Sequence, residues 1–191
     1  MIEDLNDQAL ADILEEAFHD DPAMNWAMAA PPSAAIFRHM IEGLYRPKGI
    51  CHGITDKAAA LWLPPGVKPG LSLRATIALG PSMISNGGLR AVYRGLLAES
   101  NMSKVHPHEP HYYLFAVGTT KTARGLGLGK AVLQPVLERC DREQMPAYLE
   151  NSKPENTGFY RSLGFANQGP PLVLGPGSPS IQPMWREAKP L

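Results

Sequence analysis

The run Tyr112-Tyr-Leu-Phe-Ala-Val117 is apolar and aromatic without interruption, the pattern of a central strand covered on both faces. It leads into the glycine-rich stretch Arg124-Gly-Leu-Gly-Leu-Gly-Lys130. That stretch opens a helix with Leu128, Val132, Leu133, Val136, Leu137 and Cys140 on its buried side. A buried strand, a tight turn and an amphipathic helix in direct succession commit the chain to an α/β fold. Within the turn, Arg124, Gly127 and Gly129 stand at R-x-x-G-x-G spacing. Such a turn leaves backbone N–H groups unpaired at a helix N-terminus, where the helix dipole favours an anion. Glycine lets the backbone approach a pyrophosphate that a Cβ would hold off, and Arg124 and Lys130 add charge at the same place. A dinucleotide-binding G-x-G-x-x-G is excluded because its third glycine would fall on Lys130 or Val132. A Walker A loop is excluded because Arg124 and Ala131 occupy its first-glycine and Ser/Thr positions. A turn used only for tight packing is the other reading of the same residues.

The charge balance narrows the partners. Eighteen basic residues offset eighteen acidic ones over 191 positions, so no overall field recruits nucleic acid or an anionic membrane. With 44% hydrophobic residues the chain can bury a core as a single domain over 1–191. Cys51 and Cys140 fit neither a disulfide framework nor a zinc site. The acidic start MIEDLNDQ is no secretory signal, and no apolar run reaches the ~20 residues of a membrane span. A cytoplasmic protein is the expectation. Acidic residues crowd the first 21 positions without a Lys or Arg, while Lys104, Lys121, Arg124 and Lys130 face only Glu109 between 104 and 130.

Along the rest of the chain, Leu10, Ile13, Leu14, Ala17 and Phe18 predict a helix capped by Asn6 or Asp7. Ser33 caps a second helix through Leu44, ended by Pro47. Ile50 to Thr55 and Ala58 to Leu63 form a hairpin turning at Asp56-Lys57. Leu71 to Met102 is helical, with interruptions at Gly80-Pro81 and Asn86-Gly87-Gly88. Ala147 to Glu150 is a short strand, Pro154 to Leu163 a short helix closed by Gly164, Gly169 to Pro179 a loop, and Ile181 to Arg186 a last strand.

Downstream stand Tyr148-Leu-Glu150-Asn-Ser152 and then Asn156-Thr-Gly-Phe159-Tyr160-Arg-Ser-Leu-Gly164-Phe165. With the R-x-x-G-x-G turn, this F-Y-x-x-x-G-F resembles the GNAT superfamily of acyl-CoA N-acyltransferases. Within it the chain is most similar to the puromycin N-acetyltransferase type, through Pro107-His-Glu-Pro110, Pro135 inside the helix, Leu149-Glu150, and Ala17-Phe18 with Pro22. An interior helix proline costs about 3 kcal/mol and is otherwise hard to justify. The strongest similarity covers 107–166. Two positions depart from the family pattern: Lys121 stands where a proline is common before the turn, and Lys153 where an asparagine faces the pantetheine arm, with Asn156 nearer Tyr160.

The resemblance implies a mixed, mostly antiparallel sheet flanked by helices and splayed at an acetyl-CoA cleft. It implies that the pantetheine arm lies along the strand at Val117 and Thr119, and that Arg124, Gly125, Leu126, Gly127, Leu128, Gly129 and Lys130 hold the pyrophosphate. Asn156 and Tyr160 are further coenzyme contacts, Tyr160 is the general acid, and Glu150 is the candidate base. A buried helix aromatic and a solvated strand-end carboxylate are the structural readings of those two residues. Acetyl-CoA is the expected co-substrate and an amine, most simply of a small molecule, the acceptor, joined by direct attack in a ternary complex. A CoA-binding regulatory module and a protein lysine or N-terminal acetyltransferase are the alternatives, and a homodimer is an open expectation. His106, His108 and His111 either line the acceptor pocket or ligate a metal; with no Asp or Cys to complete a set, no metal is expected.

Overall fold

In the computed structural model, which describes residues 1–190, the chain begins with helices α1 (Asp7–Phe18), α2 (Pro22–Met28) and α3 (Ala34–Met40). A π turn (Ile41–Tyr45) and the single turn α4 (Arg46–Lys48) lead to strands β1 (Ile50–Ile54) and β2 (Ala58–Leu63). The long α5 (Leu73–Val105) precedes β3 (Tyr112–Thr119), α6 (Leu128–Arg142) and β4 (Ala147–Asn151). A short 3-10 turn, Pro154–Asn156, then leads into α7 (Thr157–Ser162), followed by β5 (Ala166–Asn167), β6 (Leu172–Val173) and β7 (Ser180–Arg186).

The strands pair in the order β1-β2-β3-β4-β7-β5, with β6 on another stretch of β7. Every pairing is antiparallel except that of β3 with β4. All six residues of β2 are buried, so both faces of the sheet are covered. On one face Trp62, Leu114 and Leu149 pack with Val132, Leu133 and Val136 of α6 and with Tyr160 of α7. On the other, Leu61, Tyr113 and Tyr148 meet Leu10 and Leu14 of α1 and Phe37 of α3. A third cluster joins α2 and α5 through Trp26, Met28, Leu79 and Met83.

Two irregularities shape the centre of the sheet. Leu61 pairs with Ala116 but Trp62 with Leu114, so Phe115 is an extra residue without a partner on β2, a β-bulge in β3. Pairing between β3 and β4 also stops early. It runs only over Tyr112–Leu114 against Ala147–Leu149, after which the two strands continue unpaired to Thr119 and Asn151. A wedge opens between them, the splayed sheet that the family resemblance implies.

Several local expectations are corrected. The helix from Ser33 passes through the π turn into α4 and stops at Lys48, one residue past Pro47. Ser33 holds the N-cap position without a side-chain capping bond. Helix α5 runs through Gly80-Pro81, because Pro81 lies on the exposed side and Ile77, whose carbonyl it frees, is 67% exposed to solvent. The break falls at Gly87-Gly88, with φ of +69° at Gly88, and a Cβ on Gly87 would stand 2.0 Å from the Met28 carbonyl oxygen. The expected 169–179 loop contains β6. Helix α2 is an addition: Asp21 caps it by accepting from the Met24 N–H at 2.8 Å, and Pro22 takes its first position.

Candidate active site

The glycine-rich turn has the anion-holding geometry its sequence suggests. Gly125 and Gly127 have φ of +78° and +74°, and Gly127 is the N-cap of α6 without any side-chain capping bond. Among the described residues, the N–H groups of Gly125 to Lys130 meet no protein acceptor, and Arg124 and Lys130 are exposed beside them. A Cβ on Gly127 would meet nothing within 4 Å, so the positive φ and the approach of a ligand, rather than packing, are what demand glycine there. The Lys121 departure has a structural reason. Its N–H donates to Glu16 Oε1 at 2.6 Å, tying the turn to α1 by a bond no proline can make. Lys153 is engaged too, its ammonium 2.6 Å from Asp20 Oδ1. The hydrogen bond from Lys153 holds the Asp20 carboxyl below its usual range, with a smaller pull from Arg124.

The wedge lies at the mouth of this turn. Thr120 sends its N–H toward β2, to the Lys57 carbonyl at 2.9 Å. Strand N–H groups alternate in direction, so those of Val117 and Thr119 point the opposite way, into the wedge. That is the edge along which an extended pantetheine arm can pair and an oxyanion can be held.

Tyr160 and Glu150 reach the wedge from opposite faces of the sheet. Tyr160 is 9% exposed and belongs to the cluster of Leu114 and Leu149, the last paired residues of β3 and β4. Burial pushes its phenol well above the usual range, and Asp21 adds to the effect, so it is protonated at any physiological pH. Glu150 follows Leu149 and shares the face of Tyr148, where its side chain is only 4% exposed. It is therefore no solvated strand-end carboxylate. Asn156 is half-buried at the N-cap of α7 and makes no capping bond, whereas the buried Asn151 donates to Thr157 Oγ1 at 3.1 Å.

Two neighbours complete the surroundings of the site: His106, which the sequence offered as an acceptor-pocket residue, and Asp21, which it did not. His106 Nδ1 lies 3.8 Å from Glu150 Oε1, and Asp21 Oδ2 accepts from Ser152 Oγ at 2.5 Å, fastening the start of α2 to the end of β4. The Asp21-Pro22 pair carries a readable capping signal, and the histidine cluster pointed to His106 without showing its approach to Glu150. His108 is exposed and apart from the rings of His106 and His111. Among the described residues, no three His, Cys, Asp or Glu side chains gather as a metal site requires.

Residues 88–165 match the acetyltransferase (GNAT) family, across α5, β3, the turn, α6, β4 and α7. Over those residues the sequence is similar to the GNAT acetyltransferases, which supports an acyltransferase. An uncharacterized N-acetyltransferase of Schizosaccharomyces pombe is 26% identical over 174 residues, which cover 81% of this chain and 68% of that one. A solved Corynebacterium glutamicum structure, described as histone acetyltransferase HPA2 and related acetyltransferase, superposes with a TM-score of 0.70 at 24% identity. It covers all of this chain and 97% of its own. The Drosophila melanogaster polyamine N-acetyltransferase, which forms N-acetylagmatine, superposes at 0.64 with 12% identity, over 98% of this chain and 99% of its own. At these identities both structures speak for the fold alone.

Proposed function

We propose that this chain is a GNAT acetyltransferase that moves the acetyl group of acetyl-CoA to the amine of a small molecule by direct attack in a ternary complex. The observation that carries the reading is the placement of Glu150 and Tyr160 on opposite faces of the sheet at one wedge. The coenzyme's pyrophosphate sits on the N–H groups of 125–130, and its arm runs along Val117 and Thr119. The acetyl carbonyl then lies between a carboxylate and a phenol.

Each step has a residue. Glu150 takes a proton from the amine, whose lone pair attacks the thioester carbonyl. The N–H groups of the β3 edge hold the oxyanion, and loss of one such donor costs about 10²-fold or more in rate. As the C–S bond breaks, Tyr160 offers its proton to the thiolate. Its raised pKa makes that transfer uphill toward a solvated thiolate, but burial in the same cleft raises the basicity of the thiolate as well. The phenol thus acts as a hydrogen-bond donor that completes proton transfer late.

The acceptor side favours a cationic amine, since the buried Glu150 lies there. The puromycin N-acetyltransferase type is the subtype we favour, on Pro107-His-Glu-Pro110 and Pro135, and cytoplasmic action, without nucleic acid or membrane, on charge and composition. A homodimer is the assembly to test. The reading is checked by thiol release from acetyl-CoA across a panel of small amines, lysine peptides and N-terminal peptides. Turnover with small amines is the expected result; turnover with peptides alone would make the protein a protein acetyltransferase, and coenzyme binding without turnover would make it a CoA-binding module.

A further inference from the structure

Behind the buried carboxylate of Glu150 stand two histidines, His106 and His111, whose hydrogen bonds fix which ring nitrogens carry hydrogen. His111 Nδ1 lies 2.6 Å from the Glu109 carbonyl oxygen, which can only accept, so Nδ1 of His111 carries its hydrogen. Burial lowers the readiness of His111 to take a second proton, with His106 a lesser influence in the same direction, so its Nε2 is an acceptor. The 3.1 Å contact between His111 Nε2 and His106 Nε2 then requires the hydrogen on His106. Neutral His106 is left with a lone pair on Nδ1, the atom 3.8 Å from Glu150 Oε1. That oxygen is itself buried and has no hydrogen-bond partner among the described residues.

We propose that His106 is the second station for the proton that Glu150 takes from the acceptor amine. The proton passes from the amine nitrogen to Glu150, giving a carboxylic acid. It then moves to Nδ1 of His106, giving an imidazolium beside a restored carboxylate, and leaves from there to solvent. The lone pair it frees on nitrogen forms the N–C bond, and the pair of the C–S bond departs with the thiolate. His106 therefore acts through Glu150 as a positioning residue, and its role rests on the acetyltransferase reading above. The other titratable groups facing the pair are the hydroxyls of Tyr45 from the π turn, Tyr113 from β3 and Tyr148 from β4. Burial, reinforced by Glu150, pushes all three above the usual range, so they stay neutral. Cys51 behind Tyr45 is neutral also, its thiol pushed up to about 11 by burial, and the Glu109 carboxylate acts on His111.

The test has one arm that needs no turnover. Long-range ¹H–¹⁵N spectra of the wild-type protein above the histidine range should show hydrogen on Nε2 of His106 and on Nδ1 of His111; hydrogen on Nδ1 of neutral His106 would overturn the relay whatever the enzyme acetylates. In the second arm, His106→Gln keeps a donor for His111 but cannot take a proton. Its kcat/KM for the best amine should fall roughly tenfold, with the KM for acetyl-CoA unchanged. An unchanged kcat/KM would leave His106 as packing. If that variant does not fold, His111→Phe keeps the ring volume and removes the acceptor. Hydrogen should then appear on Nδ1 of His106 and the rate should fall, and retention of the Nε2 form at full rate would also overturn the relay.

Discussion

In the proposed function Tyr160 and Arg124 serve one ligand at its two ends, and single substitutions separate their contributions. Tyr160→Phe removes one hydroxyl and keeps the ring in the cluster of Leu114 and Leu149. Its single-turnover rate should fall roughly 10²-fold while acetyl-CoA affinity, measured by calorimetry, stays within twofold. A full single-turnover rate would make Tyr160 a packing residue. Because burial raises the phenol's pKa, wild-type activity should show no loss from Tyr160 ionisation up to about pH 10. Arg124 is exposed beside the free N–H groups of the turn, where the proposed function puts the phosphates of the coenzyme. Arg124→Ala should therefore weaken acetyl-CoA by roughly tenfold and leave acetyl-pantetheine, which has no phosphate, unchanged in a competition assay. Equal losses for both ligands would assign Arg124 to the fold.

At the scale of elements, the turn before α6 is held by backbone conformation rather than by packing. Gly127→Val places a β-branched residue at φ +74°, and its side chain enters space that is otherwise open. Acetyl-CoA binding should fall at least tenfold while the protein stays folded, as calorimetry and circular dichroism together would show. This element was the most legible in the sequence: glycine spacing and a period-3.6 stripe carry the turn and α6 by themselves. Tyr160 and Glu150 were readable as candidates, but their opposition across the sheet was not, since it depends on where β3 and β4 stop pairing. The bulge at Phe115 was hidden for the same reason, because a bulge exists only against a partner strand. Pro81 misled because a proline breaks a helix only where an N–H or carbonyl would be left unsatisfied, and it found an exposed position without that cost. His106 ends α5, far from β4 in sequence, and no local pattern could join it to Glu150.

Across the whole molecule, one buried arginine fastens the last strand to both helices of the coenzyme face. Arg186 on β7 donates to the Leu163 carbonyl at 2.9 Å and to Asp141 Oδ2 at 2.8 Å, joining α7 and α6. The bond from Arg186 holds the Asp141 carboxyl below its usual range. A carboxyl lowered in the folded state adds stability that is full above the unfolded value near pH 4 and is lost as pH falls through the folded one. Wild-type Tm should thus drop below about pH 4 more steeply than that of Asp141→Asn, which should already be lower at pH 7; parallel curves for the two proteins would deny the linkage. The wedge, finally, makes the sheet a septum with a slit in it. In the proposed ternary complex, coenzyme and amine enter from opposite sides and meet only at the slit, so each product can leave by its own door without waiting for the other. Free CoA should then compete with acetyl-CoA but not with the amine, and the acetylated amine should compete with the amine alone.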